Sequence, residues 1–389
     1  MRVLMISNVM PHKMTTGGEV CTQNYIDAIR GEGHELDLIA YSRPDADSSD
    51  PPEFHSAGVR QIESGLAGAQ AYWWLGRAFL TNRPYGVTKY RSSGLLAKVR
   101  ELGARNRYAC TIIDHTQLGW VIDQDVLPQP CIFSAHNVES KLYSDQAAGQ
   151  RSAAKRMILA REARLLKRLE SKLLRDCRQT WVLTAAEQQA FATAAPGFAE
   201  RIRLFDLPGK PMTPTLRDTE PDIDVGMMGN WLWEANRDSL AWFINDVVPS
   251  LPSNFRIHVA GKGSNAVANP HANVVYEGFV ENSVEFLRRC KVVVIPSLSG
   301  AGVQLKTIEV ISAGIPTIST PVGLRGINQP PAYVDVAETG RQMSDLVRSR
   351  VLQPMPPDFA GGARWTASRS LAFRTSVRSA LAAIEADKC

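Results

Sequence analysis

The residues best placed to do chemistry lie between Val292 and Pro316. An apolar run, Val292-Val293-Val294-Ile295, ends at Pro296 and is followed by the small-residue loop Ser297-Leu298-Ser299-Gly300-Ala301-Gly302. A helix is expected from about Val303 to Ala313, with Gly314 and Pro316 stopping it. Gly300 and Gly302 let the backbone approach a ligand closely. The exposed amides of Val303, Gln304 and Leu305, at the positive end of the helix dipole, suit a diphosphate. Lys306 adds a mobile cation one turn in. Glu309, one turn further and on a face near Lys306, can accept hydrogen bonds from vicinal hydroxyls such as a ribose diol.

Other candidates sit at comparable junctions. Gly17-Gly18 follows the first apolar run and opens a helix, so it is either a second backbone cradle or a tight turn. Asp114-His115 ends the run Ala109 to Ile113, which aims His115 from the carboxyl end of a strand, as a site residue or as a satisfied structural histidine. Ser134-Ala135-His136-Asn137-Val138-Glu139 follows the next strand in the same way. Here Asn137 is suited to cap a helix, and His136 and Glu139 serve either that cap or a ligand. Further on, Gly229-Asn230 ends a strand, Arg237 opens the next helix, and Gly261-Lys262-Gly263 follows another strand. Trp231 and Trp233 either wall a cleft or pack inside.

The elements that must position these residues alternate strand and helix. Apolar runs at Arg2–Ser7, Glu35–Tyr41, Ala109–Ile113, Cys131–Ser134 and Thr180–Leu183 are separated by helical patterns, the rhythm of a parallel sheet. Pro208 to Asp224 is rich in Pro, Thr and charge, as linkers are. The rhythm then restarts at Asp224–Met228, Arg256–Ala260, Val274–Tyr276, Val292–Ile295 and Thr317–Ser319. Helices are expected between these strands, among them Arg237–Val248. The fold class expected is α/β, with two Rossmann-like doubly wound parallel-sheet domains facing a cleft. The domains are 1–207, a linker 208–223, 224–363, and a C-terminal helix 364–389 that returns to the first domain. Ligands of open α/β sheets bind outside the carboxyl ends of the strands.

In this frame Ser297 to Pro316 resembles the donor-binding signature of family 4 glycosyltransferases, retaining group 1 enzymes of the GT-B fold. Their signature is a Glu, seven residues, a second Glu, then a small-residue helix end and Gly-x-Pro. Glu309 matches the second Glu, which in such enzymes holds the nucleotide ribose. The first falls on Ala301, a departure at the residue that contacts the transferred sugar. A Lys at the Lys306 position resembles one branch of the family. The resemblance places Gly17 and Gly18 near the donor diphosphate and acceptor, and His115 near the sugar and leaving phosphate. It puts His136 and Glu139, within His-Asn-x-Glu, on the acceptor side. Asn230 stands where a phosphate-holding Arg is common, with Arg237 as a substitute. Gly261 and Lys262 flank the nucleotide, and Gly278-Phe279 lies where backbone meets the nucleobase. The implied reaction moves a hexose from a UDP- or GDP-linked donor to a saccharide or lipid-linked acceptor, with retention, in cell-surface polysaccharide or glycolipid synthesis. The nucleotide sugar is a substrate, so no cofactor is expected. No DxD-like pair ends a strand, which favours a metal-independent reaction with no metal ligands. A sugar-nucleotide 2-epimerase or a non-catalytic nucleotide-binding protein on the same scaffold are the alternatives.

Composition agrees with a globular protein: 44% hydrophobic and 21% charged, with a net charge of +5 too modest to suggest nucleic acid. The six scattered cysteines form no CxxC pair, as expected of reduced thiols in a cytoplasmic protein. No apolar run reaches membrane-spanning length and the start lacks a signal-peptide core. Residues 151–178 are strongly basic with helically spaced apolar residues. They form either the solvated face of a surface helix or a peripheral contact with the anionic inner face of a membrane.

Overall fold

Apolar runs such as Val3-Leu4-Met5-Ile6 are fully buried, and this continuous apolarity, without alternation, belongs to strands covered on both faces. The computed structural model describes residues 1–12, 14, 16–44, 51–62, 67–209 and 220–386. The central part of the expected linker, residues 210–219, and Cys389 lie outside them. The chain divides into two units, residues 1–207 with 372–389 and residues 208–371.

The first unit runs β1 (Arg2–Ile6), α1 (Gly17–Gly31), β2 (Glu35–Ser42), β3 (Phe54–Val59), α2 (Ala69–Leu80), α3 (Tyr85–Tyr90), α4 (Ser93–Arg105) and β4 (Cys110–Asp114). It continues through β5 (Cys131–Ser134), α5 (Glu139–Gly149), α6 (Ala153–Asp176), β6 (Gln179–Val182), α7 (Ala185–Ala194) and β7 (Ile202–Leu204). The sheet order is β3-β2-β1-β4-β5-β6-β7, parallel throughout, with Val3 opposite Leu36 on one side and Cys110 on the other. The order reverses between β1 and β4, so the loops leaving these two strands diverge and open a crevice. Gly17-Gly18 and Asp114-His115 are in those loops or at their ends.

The second unit comprises β8 (Ile223–Met228), α8 (Glu234–Trp242), β9 (Ile257–Ala260), β10 (Val274–Gly278), α9 (Ser283–Arg288) and β11 (Cys290–Ile295). These are followed by α10 (Leu305–Ser312), β12 (Thr317–Ser319), β13 (Val334–Val336) and α11 (Gly340–Leu352). Its order, β10-β9-β8-β11-β12-β13, reverses between β8 and β11, again in parallel strands. Where Arg237 to Val248 reads as one helix, α8 instead passes into a π turn at Phe243–Val247 and a 3₁₀ turn at Val248–Ser250. Pro249 lies in that last turn and cannot donate an N–H to continue the helix.

The last helix, α12 (Phe359–Ala386), begins before Arg364. Its early turns hold to the second unit, with Trp365 Nε1 donating to Gln329 O at 3.3 Å and Arg369 Nη2 to Gly326 O at 3.0 Å. From Ala372 it packs in the first unit. Phe373 meets Tyr25 at 5.1 Å between ring centroids and Phe205 at 5.9 Å, and Trp181 joins the same cluster. Gln179 Nε2 donates to Ala380 O at 2.9 Å, and Arg374 and Arg378 both pair with Glu32. Among the described residues no helix is long and apolar enough to cross a membrane.

Candidate functional site

In the second unit three glycines end adjacent strands or follow them directly. Gly229 donates its N–H to Ala260 O at 3.1 Å, and Gly261 donates to Gly278 O at 2.5 Å. Gly261 has φ +119, and a Cβ there would stand 1.7 Å from Gly229 O, so only glycine fits. The strand ends are thereby drawn together as bare backbone. Trp231 is fully buried beneath them, donating Nε1 to Ala260 O at 2.9 Å, whereas Trp233 is 69% exposed. Phe279 is also exposed, with Lys262 Nζ 5.0 Å from its ring centroid. Asn230 is exposed and its side chain accepts from Leu232 N at 3.3 Å; Arg237 is a half-buried residue of α8.

The loop after β11 is held by its own network. Ser297 O accepts from Thr320 Oγ1 at 2.5 Å, Ser297 Oγ accepts from Gln304 Nε2 at 3.2 Å, and Leu298 N donates to Ser239 Oγ at 3.1 Å. Gly300 (φ +129) and Gly302 (φ +70) take backbone conformations that favour glycine, while Ala301 between them is exposed. Helix α10 opens at Leu305, not Val303. Gln304 precedes it without a side-chain cap, and Thr307 N turns back to Gln304 O at 3.0 Å. The uncapped helical amides are therefore those of Leu305 and Lys306, with Val303 and Gln304 in the approach loop.

Lys306 points over Trp231, its Nζ 5.5 Å from the ring centroid. Burial pushes its ammonium down to about 8, and the nearby Arg325 guanidinium adds to the effect. Arg325, which the sequence did not single out, donates Nε to Gly302 O at 3.2 Å and lies where a Cβ on Gly300 would project. The loop thus gathers two cations and positive-φ glycines around an uncapped helix start, an arrangement that stabilises an anion. Glu309 departs from Lys306: its Oε1 accepts from Ser283 Oγ of α9 at 2.6 Å.

The first unit carries a more buried constellation. Asp114, at the end of β4, has no exposed surface; its Oδ2 accepts from Ser7 Oγ at 2.8 Å and Thr22 Oγ1 at 2.6 Å, and its Oδ1 meets His136 Nε2 at 2.7 Å. Burial alone would raise this carboxyl, but His136, His115 and the donated hydrogen bonds outweigh it and hold it well below the usual range. Burial would also lower His136, yet Cys21 and Asp114 raise it well above its ordinary value. His115 is pushed the other way, to about 3, by burial and by the neighbouring His136. The two imidazoles are thus shifted in opposite directions. His115 also has φ +80, an unusual backbone for histidine. Its carbonyl accepts from Leu118 N at 3.1 Å.

Gly17 and Gly18 are the first two residues of α1, whose N–H groups lack intrahelical acceptors. Thr16 and Glu19 close a capping box, and the buried Glu19 also meets Arg43. This Thr-x-x-Glu spacing is a capping signal legible in the sequence. Gly18 lies under both imidazoles, with His115 Cε1 3.0 Å from where its Cβ would be. Asn137 is not a helix cap. Helix α5 starts at Glu139 after Val138, and Asn137 Nδ2 donates to Glu139 Oε1 at 3.5 Å. Burial raises the Glu139 carboxyl, and Glu170 of α6, which accepts Ser140 N at 3.3 Å, is pushed up to about 7. Asp114, His115 and His136 hold ligand-capable atoms within 4.8 Å of one another. Both Asp114 oxygens and His136 Nε2 are already engaged in the network just described, which disfavours coordination.

Residues 222–345 match the family model described as Glycosyl transferases group 1. No curated protein matches the sequence. Among solved structures, HepE from Anabaena in complex with UDP has a TM-score of 0.62 at 13% identity, covering 98% of this chain and 99% of that one. The lipopolysaccharide outer core galactosyltransferase WaaB, in its apo form, has a TM-score of 0.60 at 11% identity, covering 98% and 99%. Sucrose-phosphate synthase from Thermosynechococcus elongatus has a TM-score of 0.57 at 14% identity, covering 100% and 97%. At these identities the likeness is one of fold, and the fold is GT-B.

Proposed function

With residues 222–345 a group 1 glycosyltransferase domain, we propose that the chain transfers a hexose from a nucleoside diphosphate sugar to a saccharide or lipid-linked acceptor hydroxyl. The observation that carries this reading is the loop Ser297–Gly302 with Lys306, Arg325 and the first amides of α10 at the sheet's switch point. Two cations beside an uncapped helix start answer the chemical problem of the reaction, the diphosphate leaving as an anion. They supply that charge from protein groups, which supports a metal-independent reaction on a UDP- or GDP-linked donor.

Glu309 then holds the ribose diol, and Gly261, Lys262, Gly278 and Phe279 border the nucleoside. In the first unit, Gly17-Gly18, His115, His136 and Glu139 belong to the sugar and acceptor. A neutral His115 can accept or donate one hydrogen bond to a sugar hydroxyl without bringing a charge near an oxocarbenium-like carbon. Retention of configuration follows the resemblance to family 4, with the leaving phosphate taking the acceptor proton. The place of such a reaction is cell-surface polysaccharide or glycolipid synthesis, at the cytoplasmic side of a membrane.

Thermal-shift and calorimetric titration with UDP, GDP, dTDP and their sugars tests the reading. One nucleotide should raise the melting temperature, and its sugar should be hydrolysed slowly or transferred to added saccharides. Binding of none would sink the proposal. Binding with neither transfer nor hydrolysis would leave a nucleotide-binding protein, and epimerised free donor would identify an epimerase.

A further inference from the structure

Helix α2 is apolar beyond what its packing uses. Of Ala69–Leu80 only Trp74 and Ala78 are buried. Tyr72 is 78% exposed, Trp73 56%, Phe79 46% and Leu80 89%. An exposed cluster of this size on one short helix is unusual for a surface with no partner. The basic segment 151–178 adjoins it. Most of the apolar stripe on α6, from Leu165 to Leu174, is spent on the core of the first unit. Its opening turns are not: Met157 is 72% exposed and Ile158 36%.

The two helices meet through Arg161. Its Nη2 donates to Ala78 O at 2.8 Å, its Nη1 to Arg83 O at 3.4 Å, and its guanidinium lies 4.3 Å from the Phe79 ring centroid. Along the chain, the two segments that form this face carry charge of one sign. No carboxylate occurs in sequence between Glu63 and Glu101, or between Asp145 and Glu162. Glu162 is itself buried and engaged by Arg161 and Tyr85 N. Arg77, which stacks on Trp73 at 5.1 Å, Arg83, Lys155 and Arg156 remain around the apolar residues. Burial lowers the nearby Arg91, and Arg83 and Arg77 lower it further against the opposing pull of Asp123.

We propose that α2 and the first turns of α6 form a docking surface for an anionic lipid bilayer. Tyr72, Trp73, Phe79, Leu80, Met157 and Ile158 enter the headgroup boundary, and the cations meet lipid phosphates. Aromatic residues beside aliphatic ones, ringed by cations, match the chemistry of that boundary. A rigid acidic protein would instead offer carboxylates without a matching apolar layer. The basic contact is thus confined to the start of α6 and is completed by a helix that net charge alone does not reveal. The inference is independent of the transfer reaction, since it concerns a surface and requires no donor.

Sedimentation of the full chain with vesicles tests it. The protein should pellet with phosphatidylglycerol–phosphatidylcholine vesicles and stay in solution with phosphatidylcholine alone. Each cation reversed in Arg77→Glu/Arg156→Glu should lower partitioning about fivefold or more. Trp73→Ser/Leu80→Ser should abolish residual binding that persists in high salt, with an unchanged melting temperature because both side chains are exposed. In wild type, brominated phosphatidylglycerol should quench tryptophan fluorescence, and Trp73→Phe should remove most of the quenching. Equal pelleting of wild type and both double variants would overturn the proposal. So would self-association in solution, lost in the same variants, without vesicle binding.

Discussion

The rings of His115 and His136 lie 3.7 Å apart between centroids, yet the two imidazoles are shifted in opposite directions: burial and the neighbouring His136 lower His115, whereas Cys21 and Asp114 outweigh burial and raise His136. Native His115, pushed down to about 3, stays neutral while an unfolded histidine of pKa about 6.5 takes up a proton. The unfolded state therefore binds more protons, and stability falls as pH drops from about 6.5 toward 3. His136, raised, contributes stability that is complete below about 6.5 and is lost as pH rises through its native value. Asp114, lowered, contributes above its unfolded value of about 3.9 and loses that only in stronger acid. His115→Asn should flatten the decline between neutral pH and about pH 4, read from urea midpoints. Parallel declines in variant and wild type would remove His115 as the titrating group.

Gly18→Ala separates fold from function. Within a helix alanine is favoured over glycine by about 0.5–1 kcal/mol, so the melting temperature should hold or rise slightly. The new methyl must displace His115, which stands 3.0 Å from its position. Sugar transfer should fall by about tenfold or more, a misplacement effect. Unchanged turnover would show that the ring's place does not matter.

Lys306 carries its ammonium in a largely buried setting. Its ammonium is pushed down to about 8, and Arg325 beside it repels it further. The cost to the ligand-free fold is complete below about pH 8 and is relieved as pH rises toward the unfolded value of about 10.4. Lys306→Met, apolar and of similar length, should raise the melting temperature of the free protein at neutral pH. The same change should reduce the stabilisation given by a nucleoside diphosphate. A lower melting temperature with full nucleotide stabilisation would make Lys306 a structural residue.

The parallel sheets were legible because their central strands are unbroken apolar runs, and Val292–Ile295 or Cys131–Ser134 have few other uses. The edges were less so. Phe54–Val59 is half exposed and follows Pro51-Pro52, and Val334–Val336 has only three residues. The glycines of the loop Ser297–Gly302 were visible from spacing, whereas Arg325 was not, since it reaches the loop from beyond the following strand, β12. In the sequence Asp114 is marked only by its place beside His115. Its hub role depends on Ser7, Thr22 and His136 converging across the sheet, which no local window contains. Asn137 failed as a cap because Val138 stands between it and the first residue of α5, Glu139, and so takes the cap position.

Glu309 supplies the last test, and Ser283 sharpens it. Ser283 Oγ occupies one carboxylate oxygen at 2.6 Å, and among the described residues none hydrogen-bonds the other. Glu309→Ala should weaken nucleotide binding about tenfold to a hundredfold, the worth of hydrogen bonds to a charged acceptor. The fold should lose only about 0.5–1.5 kcal/mol, since one partly exposed hydrogen bond disappears. Ser283→Ala removes the same internal bond but keeps the carboxylate, so it should cost similar stability and much less affinity. If the two variants bound nucleotide equally well, as judged by calorimetry, Glu309 would be a helix-docking residue with no part in holding the ribose.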